Sequence, residues 1–165
     1  SIGAFIAGDK DIIDYIRYNI RSQIFAKSLP MPLVIGNLKR LELLKTKPEL
    51  KDKLWENAMK LQNGLKERGF DIGKTDSVVT PVYMKGDVPE ATAMVTDLRE
   101  NYGIFCSIVV YPVIPKGHII YRLIPTAAHT DDDIKQTLKA FSETKQKLDA
   151  GEYKVEAIPD MAEAK

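Results

Sequence analysis

Apolar residues recur every three or four positions along several segments of the chain, which predicts amphipathic helices. The first helix is predicted after Asp9, a favourable N-cap residue, and an apolar stripe over residues 33–44 predicts a second. A third is expected to begin near Pro48 and to end at Gly69. Proline suits the first turn of a helix, and glycine suits the position after the last turn. The first half of the chain is therefore expected to be mainly helical.

Shorter apolar segments between turn-forming residues predict strands. One covers residues 1–8, where small and large apolar residues alternate between glycines, and it is expected to be buried. Three others cover residues 77–84, 104–111 and 119–124. Pro81 lies within the first of these three and has no backbone N–H. That strand is therefore expected at a sheet edge or with a bulge.

The later part of the chain alternates strands and helices in the order strand, helix, strand, strand, helix. Its two helices are predicted after Asp87 and Thr130, which favour the N-cap position. This order predicts an α+β fold, within the broader α/β group, in which helices cover one face of a short, mainly antiparallel sheet. Residues 1–45 are assigned to the end of a larger domain with its connecting helices, and residues 46–151 to the α+β domain. Residues 152–165 form a polar tail, which we expect to be poorly ordered.

Composition narrows the class of protein. The 165 residues are 44% hydrophobic and 28% charged, values that are ordinary for a soluble globular chain. A net charge of +1 gives no reason to expect nucleic acid or an anionic membrane as a partner, and no apolar run is long enough to span a bilayer. The single cysteine rules out an internal disulfide framework and fits a reducing compartment, so a cytoplasmic location is expected.

Arg122 is the leading candidate for a binding residue. It lies on the predicted strand 119–124, which is otherwise apolar, after the rigid turn at residues 112–117. A guanidinium stays charged and presents a planar set of donors that matches a carboxylate. A buried arginine needs a paired anion, and none is near in sequence, so we expect a substrate carboxylate to provide it. The alternative is a surface arginine whose stem covers apolar neighbours.

Other chemically active residues have simpler interpretations. His129 directly precedes a helix cap, so it either bonds the backbone at this junction or contacts a ligand. His118 is expected to be exposed, and the two histidines do not have the spacing of a metal site. Cys106 lies in an apolar strand and is expected to act as a small hydrophobic residue. The carboxylates at residues 131–133 are expected to interact with a helix dipole rather than with a metal.

Lys27 and Ser28 precede a turn that contains Pro30 and Pro32. An ammonium and a hydroxyl both bind phosphate oxygens, so this pair is a candidate phosphate site. The alternative is a polar turn between two helices. The residues leave both interpretations open.

The segment Tyr111–Gly117, followed by Tyr121–Leu123 and Thr126–Thr130, resembles the C-terminal region of the α-oxoamine synthases. These are pyridoxal phosphate (PLP) enzymes with a fold type I, aminotransferase-like structure, and they condense an amino acid with an acyl-CoA. Residues 24–30 and 49–58 are similar to the same family. Within it, the similarity is greatest to glycine C-acetyltransferase (2-amino-3-ketobutyrate CoA ligase), with serine palmitoyltransferase and 8-amino-7-oxononanoate synthase as alternatives.

The resemblance assigns roles to three residues. Arg122 would bind the α-carboxylate of the amino acid, glycine or serine. Ser28, together with Lys27, would approach the cofactor phosphate from the neighbouring subunit of a homodimer. Relatives tend to carry a small polar residue at Lys27, although a lysine also suits a phosphate. The product would be an α-amino ketone.

The resemblance also implies that the chain is the C-terminal piece of a longer enzyme. The chain opens at Ser1 without a methionine or a charged leader, and the lysine that binds PLP is expected a few residues before it. PLP catalysis needs that lysine, so the piece alone is expected to be inactive. Two other classes of protein remain open. One is a free-standing module in which Arg122 binds an amino acid, and the other is an interaction domain without a small-molecule site.

Overall fold

The computed structural model describes residues 2–154, which divide into two compact units between Pro48 and Glu49. We refer to them as the N-terminal unit and the C-terminal unit. The division lies three residues after the boundary expected from the sequence, between residues 45 and 46. Most of the predicted tail, residues 155–165, and Ser1 lie outside the described residues.

The N-terminal unit contains three helices: α1 (Lys10–Asn19), α2 (Arg21–Phe25) and α3 (Met31–Thr46). The predicted helix after Asp9 is confirmed, although the Asp9 side chain makes no capping hydrogen bond. Helix α3 begins at Met31, two residues before the predicted start, with Pro32 in its first turn. A proline is tolerated there because the first N–H groups of a helix have no partner within the helix.

The strand predicted over residues 1–8 is wrong for the residues that the structure describes. Residues 2–9 form no regular secondary structure, and their side chains are exposed. A strand is held by hydrogen bonds to a neighbouring strand, and the described ladders join only segments within residues 80–123. The predicted strand and its predicted burial are therefore both wrong for residues 2–8.

The C-terminal unit follows the predicted element order. Its elements are α4 (Pro48–Glu67), β1 (Thr80–Lys85), α5 (Val88–Tyr102), β2 (Ser107–Val109), β3 (His118–Leu123) and α6 (Asp131–Asp149). Helix α4 begins at Pro48 as predicted, and Gly69 adopts the positive φ of +79° that a helix-ending glycine supplies. The α+β class predicted from the sequence is confirmed.

The three strands form an antiparallel sheet in the order β1-β3-β2. Strand β1 is an edge strand, as Pro81 predicted. Strand β2 covers only Ser107–Val109, which is shorter than the predicted segment 104–111. Gly103 ends α5 in the left-handed conformation, and the Ile104 N–H donates to the Leu98 carbonyl of that helix. The backbone of Ile104 therefore completes the helix end and cannot join the sheet.

One face of the sheet is buried beneath the helices. Alternate residues of β1 and β3 point to this face: Thr80, Val82, Met84, Ile119, Tyr121 and Leu123. Residues from α4, α5 and α6 complete a single core with them. The Phe141 ring of α6 packs edge-on against both Phe70 and Tyr121, with centroids 6.1 Å apart in each pair. The predicted arrangement of helices on one face is thus observed.

Both later helices begin with reciprocal capping bonds. The Asp87 side chain accepts from the Glu90 N–H, and the Glu90 carboxylate accepts from the Asp87 N–H. Thr130 and Asp133 make the same exchange at the start of α6. These bonds satisfy N–H groups that the helix itself leaves without partners, which explains why the two predicted starts are accurate.

Asp97 joins α5 to the end of the C-terminal unit. Its carboxylate accepts hydrogen bonds from Asn101, Lys147 and Tyr153. Tyr153 is buried, so the ordered structure continues beyond Glu152, where the sequence predicted the tail to begin. Burial raises the pKa of Asp97, but the three hydrogen bonds outweigh it and lower the pKa from 3.8 to about 2.

Replacing Asp97 by asparagine is expected to remove a pH-dependent part of the stability. Because the folded pKa is depressed, this contribution is present above 3.8 and is lost as the pH falls toward about 2. The side chain is only 10% exposed, so we expect a loss of about 1–2 kcal/mol at neutral pH. Urea denaturation at several pH values tests this, with the exposed Asp76→Asn as a matched control. Equal acid sensitivity of Asp97→Asn and the unsubstituted chain would contradict it.

Candidate functional site

The uncovered face of the sheet carries a mixture of polar and apolar side chains, and Arg122 lies near the end of its central strand. We call this surface the open face. It comprises the other set of alternate strand residues: Pro81, Tyr83, Lys85, Ser107, Val109, His118, Ile120 and Arg122. Arg122 belongs to the central strand, and its register partners are Pro81 on β1 and Ser107 on β2. The arginine is thus flanked by a strand on each side.

Arg122 is exposed, so the expectation of a buried arginine that needs a paired anion is wrong. Alternation along β3 directs its side chain away from the core, although the strand is otherwise apolar. The Nε–H donates to the Ser107 Oγ over 3.1 Å. No carboxylate among residues 2–154 forms an ion pair with Arg122, and its terminal nitrogens make no hydrogen bond there. The terminal nitrogens of the guanidinium therefore remain available to a ligand.

The backbone beneath Arg122 is held by buried neighbours. Tyr121 is fully buried and Leu123 nearly so, and Tyr121 packs against Phe141. Burial raises the pKa of the Tyr121 phenol well above its ordinary value, so it stays neutral. A side chain on a rigid strand keeps a more constant direction than one on a loop. Arg122 therefore combines an exposed charge with a rigidly held backbone.

Asn57 secures the turn that follows Arg122. Its amide nitrogen donates to the Thr126 carbonyl over 3.0 Å and to the His129 carbonyl over 2.8 Å. The His129 Nδ1 accepts from the Thr126 N–H over 2.8 Å. His129 is therefore a structural residue that bonds the backbone, and this arrangement leaves the ring proton on Nε2. Of the two interpretations drawn from the sequence, the backbone-bonding one is confirmed.

Two residues that contact Arg122 or the turn after it were not recognised from the sequence. Ser107 becomes important only through its register with Arg122, which the sequence does not reveal. Asn57 gave a detectable signal, because it is a polar residue within the apolar stripe of α4, beside Ala58 and Leu61. A fully buried asparagine must find hydrogen-bond partners.

The remaining candidates have structural or surface positions. Cys106 is buried, and burial raises the pKa of its thiol to about 11, so it is protonated and unreactive at neutral pH. His118 is exposed at the start of β3. Asp131 accepts a hydrogen bond from Lys60, and Asp133 caps α6. Within residues 2–154 no group of three histidine, cysteine or acidic side chains is arranged to hold a metal ion.

Lys27 and Ser28 lie in an exposed segment without regular structure, between α2 and α3. Ser28 comes two residues before Pro30, the N-cap residue of α3. An ammonium and a hydroxyl both donate hydrogen bonds to an anion. The donors at Lys27 and Ser28 thus fit the phosphate of a cofactor such as PLP. They belong to the N-terminal unit, whereas Arg122 belongs to the C-terminal unit.

The part of the chain that the structure describes includes no helix with the length and apolar character needed to cross a bilayer.

The C-terminal unit is a small antiparallel sheet with helices on one face and an exposed arginine, Arg122, on the other. The model of the aminotransferase class I and II family matches residues 1–141, and the chain belongs to this family. Its relatives and structural neighbours give it the α-oxoamine synthase type of PLP fold. The resemblance stated from the sequence is therefore confirmed at the level of the family.

Two curated relatives and one solved structure illustrate the similarity. The chain is 63% identical over 153 residues to the cysteate-C-fatty acyltransferase of Capnocytophaga ochracea, covering 93% of this chain and 36% of the relative. It is 36% identical over 139 residues to the serine palmitoyltransferase of Sphingobacterium spiritivorum, covering 84% of this chain and 34% of that protein. A high-resolution structure of serine palmitoyltransferase with PLP superposes with a TM-score of 0.73 and 28% identity, over 85% of this chain and 35% of that chain.

The chain spans about a third of the length of the curated relatives that it matches. The relatives' names agree with the predicted class, acyltransferase. The prediction that glycine C-acetyltransferase is the most similar type within the family remains a prediction.

Proposed function

We propose that the chain is part of a PLP-dependent acyltransferase that condenses an amino acid with an acyl-CoA to give an α-amino ketone. The observation that supports the proposal is Arg122, which is exposed and forms no ion pair with a carboxylate among residues 2–154. A bidentate guanidinium–carboxylate pair fixes both the position and the plane of an amino acid. In this role Arg122 binds and orients the substrate, and Ser107 limits the rotation of its guanidinium.

The relatives suggest which amino acid and which acyl group to test. The sequence alone predicted glycine or serine. A 63% identical relative is a cysteate-C-fatty acyltransferase, so we place cysteate first, with serine and glycine as alternatives, and a fatty acyl group ahead of acetyl. The α-carbon first loses a proton and then bonds to the acyl carbonyl carbon. The carbon–sulfur bond breaks, and CoA takes up a proton and leaves as the thiol. For cysteate or serine the carboxylate then departs as CO2, and the α-carbon takes up a proton.

We propose that the protein forms a homodimer. Lys27 and Ser28 of one subunit would hold the phosphate of the PLP that is bound in the active site of the other subunit. Their exposure and their donor chemistry support this role. When bound, PLP would withdraw electrons from the α-carbon of the amino acid. In this proposal the lysine that anchors PLP precedes Ser1, so the 165 residues alone have no activity.

The proposal is tested by assaying the intact protein with PLP and each combination of cysteate, serine or glycine with palmitoyl- or acetyl-CoA. Release of free CoA thiol reports the reaction, and mass spectrometry identifies the ketone. We expect thiol release that depends on both substrates and is greatest with cysteate and palmitoyl-CoA. Binding of the amino acid without thiol release for any acyl-CoA would instead support an amino-acid-binding module. Glycine with acetyl-CoA as the best pair would support the glycine C-acetyltransferase prediction.

A further inference from the structure

We propose that Phe105 and Ile124 contact the aliphatic chain of the acyl substrate; this inference rests on the proposed function. Both side chains are exposed, Phe105 by 85% and Ile124 by 55%, in a unit whose other large apolar residues mostly form its core. A solvent-exposed phenylalanine beside an exposed isoleucine is unfavourable in water unless something covers it. Three arguments favour the acyl chain of the substrate as the group that covers this pair.

The first argument is continuity with Arg122. Ser107 pairs with Arg122 in the register of β2 and β3, and continuing this register by two residues brings Phe105 opposite Ile124. Both residues line one cleft, which agrees with this pairing. Residues two apart on a strand point to the same face and lie about 7 Å apart. On this continued register the apolar pair comes next after Arg122 and Ser107, just beyond the ends of β2 and β3.

The second argument is the covalent reach of the substrates. If Arg122 holds the carboxylate, the α-carbon is one bond away from the carboxylate carbon, and the acyl carbonyl carbon is bonded to the α-carbon on condensation. Each of these bonds is about 1.5 Å long. The acyl chain must therefore begin within a few ångströms of the carboxylate, and it can extend from there along the strands to a pair about 7 Å from Arg122 and Ser107. The first carbons of the acyl chain are therefore the ones expected to reach the apolar pair.

The third argument is the shape of the surface beyond the pair. Phe105 and Ile124 line a cleft of about 250 Å³, and Ile104, Leu123 and Pro125 contribute apolar surface to it. Polar side chains from the start of α6 line the same cleft. An elongated aliphatic chain can lie along the apolar side, where it removes the exposed rings and methyl groups from water. We therefore assign the cleft to a fatty acyl chain rather than to acetyl.

The test uses the intact protein and a series of acyl-CoA thioesters from acetyl to palmitoyl, at a saturating concentration of the preferred amino acid. For Phe105→Ala, kcat/KM with palmitoyl-CoA is expected to fall about tenfold more than with the shortest thioester that the unsubstituted protein accepts. Ile124→Ala should reduce the same ratio, and Phe105→Leu should restore most of it. Leu50→Ala is the matched control, because Leu50 is 48% exposed on α4 of the same unit.

The outcomes separate this inference from the function on which it rests. Equal loss with all thioesters, or no change in the ratio, would overturn the acyl-chain contact while leaving the acyltransferase proposal intact. A lower melting temperature of Phe105→Ala with an unchanged ratio would show that another part of the protein covers the pair. If the unsubstituted protein releases no thiol from any thioester, the proposed function itself fails, and the inference fails with it.

Discussion

Replacing Arg122 by lysine in the intact protein is expected to weaken amino-acid binding tenfold or more, about 1.4 kcal/mol. Lysine keeps the positive charge but loses the planar pair of donors that grips both carboxylate oxygens. It also loses the Nε–H that donates to Ser107 and fixes the orientation of the side chain. The dissociation constant of the amino acid, measured by calorimetry on the PLP-loaded protein, is the direct readout.

Two further variants show whether the effect belongs to this site. Ser107→Ala removes only the orienting hydrogen bond, so it should weaken binding by a smaller factor, about threefold to tenfold. Arg99→Lys is the matched control, because Arg99 is an exposed arginine that forms an ion pair with its neighbour Glu100. An unchanged dissociation constant for Arg122→Lys would remove the main support for the proposed function. An equal effect of Arg99→Lys would show that the loss is not specific to the open face.

Replacing Phe141 by alanine is expected to reduce the free energy of unfolding by about 3–5 kcal/mol. Phe141 is fully buried and makes edge-on contacts with Phe70 and Tyr121, so the substitution leaves a cavity directly beneath the strand that carries Arg122. The aromatic contacts add to the cost of the lost apolar burial. Urea denaturation followed by circular dichroism measures the effect.

The same substitution at an exposed position provides the control. Phe105→Ala removes an equal number of atoms from a side chain that is 85% exposed, so it should change the free energy of unfolding by less than about 0.5 kcal/mol. Similar values for the two variants would show that the packing described for α6 and β3 does not hold the unit together. The expected contrast also supports the use of Phe105→Ala as a functional probe, because its effect on activity would not arise from unfolding.

The local signals in the sequence were reliable where short-range chemistry decides the structure. Asp87 and Thr130 each precede a residue that returns the capping bond, so both helix starts could be predicted. Pro81 lacks an N–H, and it lies in an edge strand. The strand predicted from residue 104 begins only at Ser107, because the N–H of Ile104 completes the end of α5. Residues 2–9 show the same limit, since an apolar pattern indicates a preference for burial but cannot identify a partner strand.

The candidate site shows a similar division between local and long-range information. The sequence alone selected Arg122 and its rigid strand, and the motif around it carried the resemblance to the family, because these features lie within a continuous stretch of chain. Only the tertiary structure decided that Arg122 is exposed, that Ser107 orients it, that Asn57 secures the turn after it, and that Phe105 lies near Ile124. These contacts join residues that are 15 or more positions apart, and their formation depends on strand register and helix packing. A single sequence records the chemistry of each residue, but the fold determines which residues become neighbours.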